Sequence, residues 1–201
     1  SIRGSIMIVG PLLARYGIGS VPRPGGDKIG RRRLDTHFES FKKLGAEFNY
    51  DKKESFFIVK AKKLKGSNIL LDEASVTGTA NIVMTSVLAE GQTTIYNAAC
   101  EPYIQQLCNL LNKMGGRISG IGSNHLIIEG VSKLNGASHI ILPDMIEIGS
   151  WIGLAIMTQS NIRIKNCSIK NLGIIPRIFR KLGVKINIEK EDDDLQNSDN
   201  I

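Results

Sequence analysis

"FKKLGAEF", residues 41–48, reads as the last turn of an amphipathic helix, a glycine at its C-cap and the start of a strand. The same reading fits "LNKMGGRI" at 111–118 and "FRKLGVKI" at 179–186, so that Gly45, Gly115 and Gly183 stand 70 and 68 residues apart. Three matches in one phase make an internal repeat. A second marker keeps step: Gly66 in "FFIVKAKKLKGSNILLD" and Gly136 in "HLIIEGVSKLNGASHIILPD" are 70 residues apart, each between two β-rich runs.

Each unit is expected to run helix, strand, turn, strand, followed by a helix such as "TANIVMTSVLAEG" (79–91) and a strand such as "TTIYNAA" (93–99). The fold class is therefore α/β, built from repeated units. Alternating helices and strands must bury the helices' apolar faces against sheets, and three or more units can close around a common helical core. Solenoid repeats usually run about 20–45 residues, so units of this length point instead to a pseudo-symmetric globular domain. The opening "SIRGSIMIVGPLLARYG" is already helix-like, without a leading strand, and after "KINIEK" the chain passes into a polar tail. The expectation is a chain cut at both ends.

With 201 residues, 42% of them hydrophobic, the chain can bury the core of one domain, or of one domain and part of another. Its apolar runs, such as "GLAIM" and "HIIL", fall far short of the ~20 residues of a membrane helix, and Ser1 opens no recognisable signal peptide. A soluble, cytoplasmic chain with no membrane partner is expected. Cys100, Cys108 and Cys167 are too few and too irregularly spaced for a disulfide framework or a zinc site, and are expected to be buried free thiols. Of His37, His125 and His139, only His37 sits beside other polar chemistry.

A formal charge of +7 favours an anionic partner. Aromatic residues make up only 5% and do not interleave with the basic run, which argues against stacking on nucleic-acid bases. A basic anion- or nucleic-acid-binding module without catalysis remains the alternative from another class. The basic residues gather in "PRPGGDKIGRRRLDTH" (22–37), where Asp27 follows Gly25 and Gly26 and is surrounded by Arg23, Lys28, Arg31, Arg32 and Arg33. Pro24 stiffens the approach and the two glycines permit backbone angles closed to other residues, which is the composition of a lid. Clustered arginines repel one another unless an anion sits between them, and their forked donors suit phosphate or carboxylate. Arg32 or a neighbour is a candidate phosphate clamp.

These residues resemble a known family. "RxSxxxxGPLLARxG" at Arg3 to Gly17, "PGGDxIGxRxxDxH" at Pro24 to His37, "ASVTGT" at Ala74 to Thr79, "LAEG" at Leu88 to Gly91, "NAACEP" at Asn97 to Pro102 and "LPDMIEIG" at Leu142 to Gly149 are similar to the UDP-N-acetylglucosamine enolpyruvyl transferases, from Arg3 to about residue 190. The resemblance implies transfer of the enolpyruvyl group of phosphoenolpyruvate to the 3-hydroxyl of UDP-N-acetylglucosamine with release of phosphate, the first committed step of peptidoglycan synthesis. It implies no metal or organic cofactor. It also implies an inside-out α/β barrel of repeated βαβαββ units, two such domains enclosing a cleft, with residues 1–141 covering most of the first and 142–201 opening the second.

Position by position, the resemblance places Asp27 where most members carry a loop cysteine that acts as general acid, and Arg32 at the phosphate-contacting arginine. Arg3 falls at the sugar-nucleotide site. Arg33, Leu34, Asp35 and Thr36, together with Glu73, Ala74, Ser75 and Val76, match segments that hold the UDP moiety, and Asp144 matches a cleft residue. Ser75 reads equally as a helix N-cap, Asp144 as a turn acid, and Glu101 as a helix-start residue. Arg31 and Arg33 replace a small residue and a proline, and Thr77 stands where glycine is frequent. A lysine that contacts phosphoenolpyruvate would precede Ser1; a base aspartate and further phosphate-binding arginines would follow Ile201. The remaining N- and C-terminal portions of the same enzyme are thus expected partners, and the piece alone is expected to be inactive or nearly so. The sister enzyme acting on shikimate 3-phosphate shares this chemistry but has a different signature at the phosphate site.

A thiol is protonated at neutral pH and an ordinary aspartate is not, so proton donation by Asp27 requires about 4 kcal/mol of differential interaction in favour of its neutral form. The five neighbouring cations oppose this. The expectation is that Asp27 becomes an acid only when bound anions neutralise the arginines and lid closure excludes water. Fosfomycin alkylates the loop cysteine in this family; a carboxylate is a poorer nucleophile, so resistance is expected.

Overall fold

The repeat glycines Gly45, Gly115 and Gly183 have φ of 93°, 98° and 87° in the computed structural model, which describes residues 2–26 and 33–189. Each ends a helix with the same pair of backbone hydrogen bonds. Gly45 N–H donates to Lys42 O and Ala46 N–H to Phe41 O, both at 2.9 Å. Gly115 and Gly116 donate to Asn112 O and Leu111 O at 2.9 and 2.8 Å, and Gly183 and Val184 to Arg180 O and Phe179 O at 3.0 and 3.1 Å. This is the Schellman closure, and a side chain in the left-handed conformation it needs would cost about 1–2 kcal/mol.

The chain divides into two compact units, residues 1–141 and 142–201. The first begins with a 3-10 turn, Arg3–Ile8, that runs into helix α1 (Val9–Tyr16). It continues through β1 (Ile18–Pro22), α2 (Asp35–Lys43), β2 (Glu47–Asp51), β3 (Phe56–Lys60), β4 (Asn68–Leu70), α3 (Val76–Ser86), β5 (Gln92–Tyr96), α4 (Pro102–Lys113), β6 (Arg117–Ser119) and β7 (His125–Glu129). One antiparallel sheet has the order β1-β3-β2, with Val59 of β3 opposite both Gly19 and Phe48. The other has the order β4-β5-β7-β6; β4 and β5 are parallel, and Ile95 pairs with Ile69 on one side and Leu126 on the other.

Helix α3 explains why the helices lie inside. A surface helix carries one apolar stripe, whereas "VTGTANIVMTS" is small or apolar on every side, and residues 78–83, 85 and 86 are all buried. α1, α2 and α4 pack against it. The sheets cover this bundle with alternate residues: Ile69 and Ile95 face inward, while Leu70 and Tyr96 remain exposed. Two of the hydroxyls carried inward by α3 are hydrogen-bonded there: Thr79 Oγ1 accepts from Ala99 N–H at 3.0 Å and Thr85 Oγ1 donates to Asn81 O at 2.7 Å.

Two strand expectations fail. "HIIL" (139–142) forms no strand, and Ile140 and Ile141 are 71% and 73% exposed; of the run after Gly183, residues 184–189 form no strand either. Apolar β-rich composition makes a strand only where a neighbouring backbone completes the ladder. Of the cysteines, only Cys108 is fully buried, which pushes its thiol pKa up to about 11; Cys100 is exposed. Cys100 lies in the turn before α4, not on its inner face.

The second unit contains α5 (Met145–Met157), a short 3-10 turn and α6 (Ile175–Lys181). α5 is hydrophobic all round like α3, yet within it only Ile148 is buried, leaving Ile146, Trp151, Leu154, Ile156 and Met157 exposed. Among the described residues no helix is long and apolar enough to cross a membrane.

Candidate functional site

Helices α2 and α3 start side by side. Thr36, in the first turn of α2, lies against Gly78 in the first turn of α3, so closely that a Cβ on the glycine would come within 3.0 Å of Thr36 Cγ2. Ser75 caps α3 by accepting from Gly78 N–H at 3.1 Å, so the N-cap reading is the one the local geometry displays. Glu73 and Ala74 lie in the exposed turn just before it. Two helix starts lying together favour a negative charge.

Cations frame this corner. Arg33 donates through Nε to both carboxylate oxygens of Asp35, at 2.9 and 2.7 Å, and through Nη2 to Oδ2. This fork holds the Asp35 carboxyl below the usual carboxylate range, and Asp35 in turn raises the Arg33 pKa, with smaller contributions from the charges of Asp72 and Glu73. Both side chains are substantially exposed, so the pair orients more than it stabilises. Arg3 reaches from the 3-10 turn to donate to Arg33 O at 2.9 Å. It also lines, with Arg23, Pro24, Leu34, Tyr50 and Phe57, an open depression of about 320 Å³.

Behind the corner lies a buried polar cluster. His37 is 2% exposed; its Nδ1 is 2.9 Å from Asn81 Nδ2 and its Nε2 is 3.4 Å from Thr77 Oγ1. Burial, reinforced by the charge of Arg3 and partly offset by that of Asp35, lowers the His37 pKa to about 4. The ring is neutral at physiological pH.

Of the residues singled out in the sequence, Arg3, Arg33, Leu34, Asp35, Thr36, Glu73, Ala74, Ser75 and Val76 come together at the paired helix starts. Asp27 and Arg32 lie outside the described residues. Asp144 belongs to the second unit, where it caps α5 by accepting from Ile146 N–H at 2.8 Å and Glu147 N–H at 3.4 Å. Glu101 occupies the N-cap position of α4 without a side-chain cap, followed by Pro102. Asn81 was not foreseen. Its signal was available, because an amide in the middle of the otherwise apolar "ANIVM" needs buried partners.

The arrangement suits an anionic ligand: the helix starts beside Arg3 and Arg33 favour a phosphate-bearing group, and the adjoining depression, lined in part by Tyr50 and Phe57, offers room beside it. Comparison with known proteins gives this arrangement a context. The model of the family described as EPSP synthase (3-phosphoshikimate 1-carboxyvinyltransferase) matches residues 1–200. The UDP-N-acetylglucosamine 1-carboxyvinyltransferase of Bacteroides fragilis is 61% identical over 195 residues, 97% of this chain and 44% of that protein. The protein of the same name from Porphyromonas gingivalis is 56% identical over 195 residues, with the same shares covered. The chain thus spans 44% of the length of these curated relatives. Among solved structures, the enolpyruvyl transferase NikO from Streptomyces tendae matches with a TM-score of 0.71 over 94% of this chain and 45% of that one; at 14% identity the likeness is one of fold.

Proposed function

The chain belongs to the EPSP synthase (3-phosphoshikimate 1-carboxyvinyltransferase) family, and from that membership we propose that it is part of an enzyme transferring the enolpyruvyl group of phosphoenolpyruvate to the 3-hydroxyl of UDP-N-acetylglucosamine, with release of phosphate. The observation that carries the reading is the 61% identity, over 97% of the chain, to a UDP-N-acetylglucosamine 1-carboxyvinyltransferase. In this reading residues 1–141 are most of the lid-bearing domain and residues 142–201 begin the second, the rest of the enzyme being supplied by the N- and C-terminal portions of the same polypeptide.

The roles follow from charge and position. Arg3, Arg33 and the starts of α2 and α3 hold the diphosphate of the sugar nucleotide, with Leu34, Asp35 and Thr36 on one side and Glu73, Ala74, Ser75 and Val76 on the other. Arg32 takes the phosphate of phosphoenolpyruvate. Asp27, carried on the glycine hinge, gives its proton to the vinyl carbon once the ligands have neutralised the arginines around it. Asp144, in the second unit, is a further candidate substrate-binding residue. In this reading the protein works in the cytoplasm.

The test is substrate choice by the complete polypeptide that contains this chain. Phosphate should appear when phosphoenolpyruvate is supplied with UDP-N-acetylglucosamine, and not when it is supplied with shikimate 3-phosphate. The opposite choice would assign the chain to the sister reaction, and salt-sensitive binding to nucleic acid with no turnover on either acceptor would leave a non-catalytic module.

A further inference from the structure

We propose that Asn81 is a positioning residue: its carboxamide fixes His37 with the ring proton on Nε2, and so holds both the Thr77 hydroxyl and the segment bearing Arg3 at the paired helix starts. The argument begins with the amide's partners. Asn81 is 0% exposed, and it touches three other elements at once. Its Oδ1 accepts from Gly10 N–H at 3.1 Å, where the 3-10 turn has become α1; its Nδ2 donates to Ile6 O at 2.9 Å and faces His37 Nδ1 of α2 at 2.9 Å.

This orientation admits no flip. Turning the amide over would put its NH2 against the Gly10 N–H and its oxygen against the Ile6 carbonyl, exchanging two good hydrogen bonds for two repulsive contacts. With Nδ2 the donor, His37 Nδ1 must be the acceptor. The ring's proton is then on Nε2, directed at Thr77 Oγ1 3.4 Å away. Having accepted from the imidazole, the exposed Thr77 hydroxyl keeps its own proton free to donate outward, at the second residue of α3, where the helix N–H groups also point.

The same amide sets Arg3. The carbonyl and N–H it grips, at Ile6 and Gly10, bracket the end of the 3-10 turn that begins at Arg3. Gly10 allows the approach, since a Cβ there would lie 2.7 Å from Asn81 O, Asn81 Oδ1 and Thr85 Oγ1. The charged groups acting on the imidazole are Arg3 from the 3-10 turn and Asp35 from the start of α2, while α3 presents the uncharged Thr77 and Asn81. Arg3 and burial both disfavour an imidazolium, in agreement with the tautomer the hydrogen bonds require.

The link from Asn81 to the ligand rests on the proposed function; the tautomer does not, and the experiment separates them. In the complete polypeptide labelled with 15N-histidine, and with His37→Gln used to assign the resonance, His37 should show a protonated Nε2 and a bare Nδ1 at pH 7 and still at about pH 5. A proton on Nδ1 at pH 7, or titration near the ordinary histidine pKa, would overturn the inference whatever the enzyme does. Asn81→Asp puts an acceptor where the donor stood, so His37 should become an imidazolium at neutral pH, and the KM for UDP-N-acetylglucosamine should rise about tenfold with kcat changed far less. An imidazolium with unchanged KM would refute the positioning role and leave the tautomer intact. Absence of turnover in the parent as well would count against the proposed function alone.

Discussion

At the residue scale, the proposed acid Asp27 has five cations near it in the sequence, which favour its charged form, so its proposed role depends on ligands that neutralise them. Asp27→Asn in the complete polypeptide should lower turnover by about 10²–10⁴-fold, a typical range for a lost general acid, while UDP-sugar binding changes little. Fosfomycin should cause no time-dependent inactivation of the parent, and mass spectrometry should find no adduct on Asp27; Asp27→Cys should restore covalent inhibition. A second residue-scale expectation concerns pH. His37 is held near 4, below its ordinary 6.5, so the unfolded chain binds the additional proton between those values. Its contribution to stability is complete above about pH 6.5 and is lost as pH falls toward 4. Urea unfolding should therefore show about 2 kcal/mol less stability at pH 5 than at pH 7 from this group, and His37→Gln should flatten that part of the profile.

At the scale of elements, strand β4 depends on a glycine just before it. A Cβ on Gly66 would lie 2.2 Å from Gln92 O, and this is backbone at the start of β5, which cannot move without breaking the parallel pairing. At the repeat-equivalent Gly136 a Cβ meets nothing within 4 Å. Gly66→Ala should thus lower the urea midpoint by the equivalent of about 2–4 kcal/mol, and Gly136→Ala by less than about 0.5. The contrast also marks what could be read beforehand. Helix ends were legible at Gly45, Gly115 and Gly183 because capping is local: a few neighbouring residues determine it. The pairing of β4 was legible as a β-rich run, but the identical signal in "HIIL" produced no strand, because a strand is decided by a partner that lies elsewhere in the chain. The site divides in the same way. Ser75 as a cap follows from a short motif, whereas Asn81 acquires its meaning only from Ile6, Gly10 and His37, which the fold brings from up to 75 residues away.

For the whole molecule, the two units differ in how well they are filled. The first surrounds α3 with three helices and two sheets. In the second, the buried hydrophobic side chains among the described residues are Ile148 and Leu172, while large apolar side chains stand exposed along α5 and α6. Hydrogen exchange on the 201-residue chain should accordingly protect amides of α3, β5 and β7 to near the global unfolding limit and leave those of α5 and α6 exchanging within seconds to minutes. Equal protection in both units would contradict this uneven filling. The exposed apolar side chains should also bind a hydrophobic dye, and the signal should fall when the same residues are measured within the complete polypeptide.

The backbone closures at residues 45, 115 and 183 have a historical consequence. A segment that carries its own terminator closes two of its last carbonyls locally, so a block copied end to end brings that part of its seam with it. Tandem duplication of an ancestral gene of about 70 codons would leave this regular punctuation, and successive copies could then drift in sequence as far as their glycines allowed.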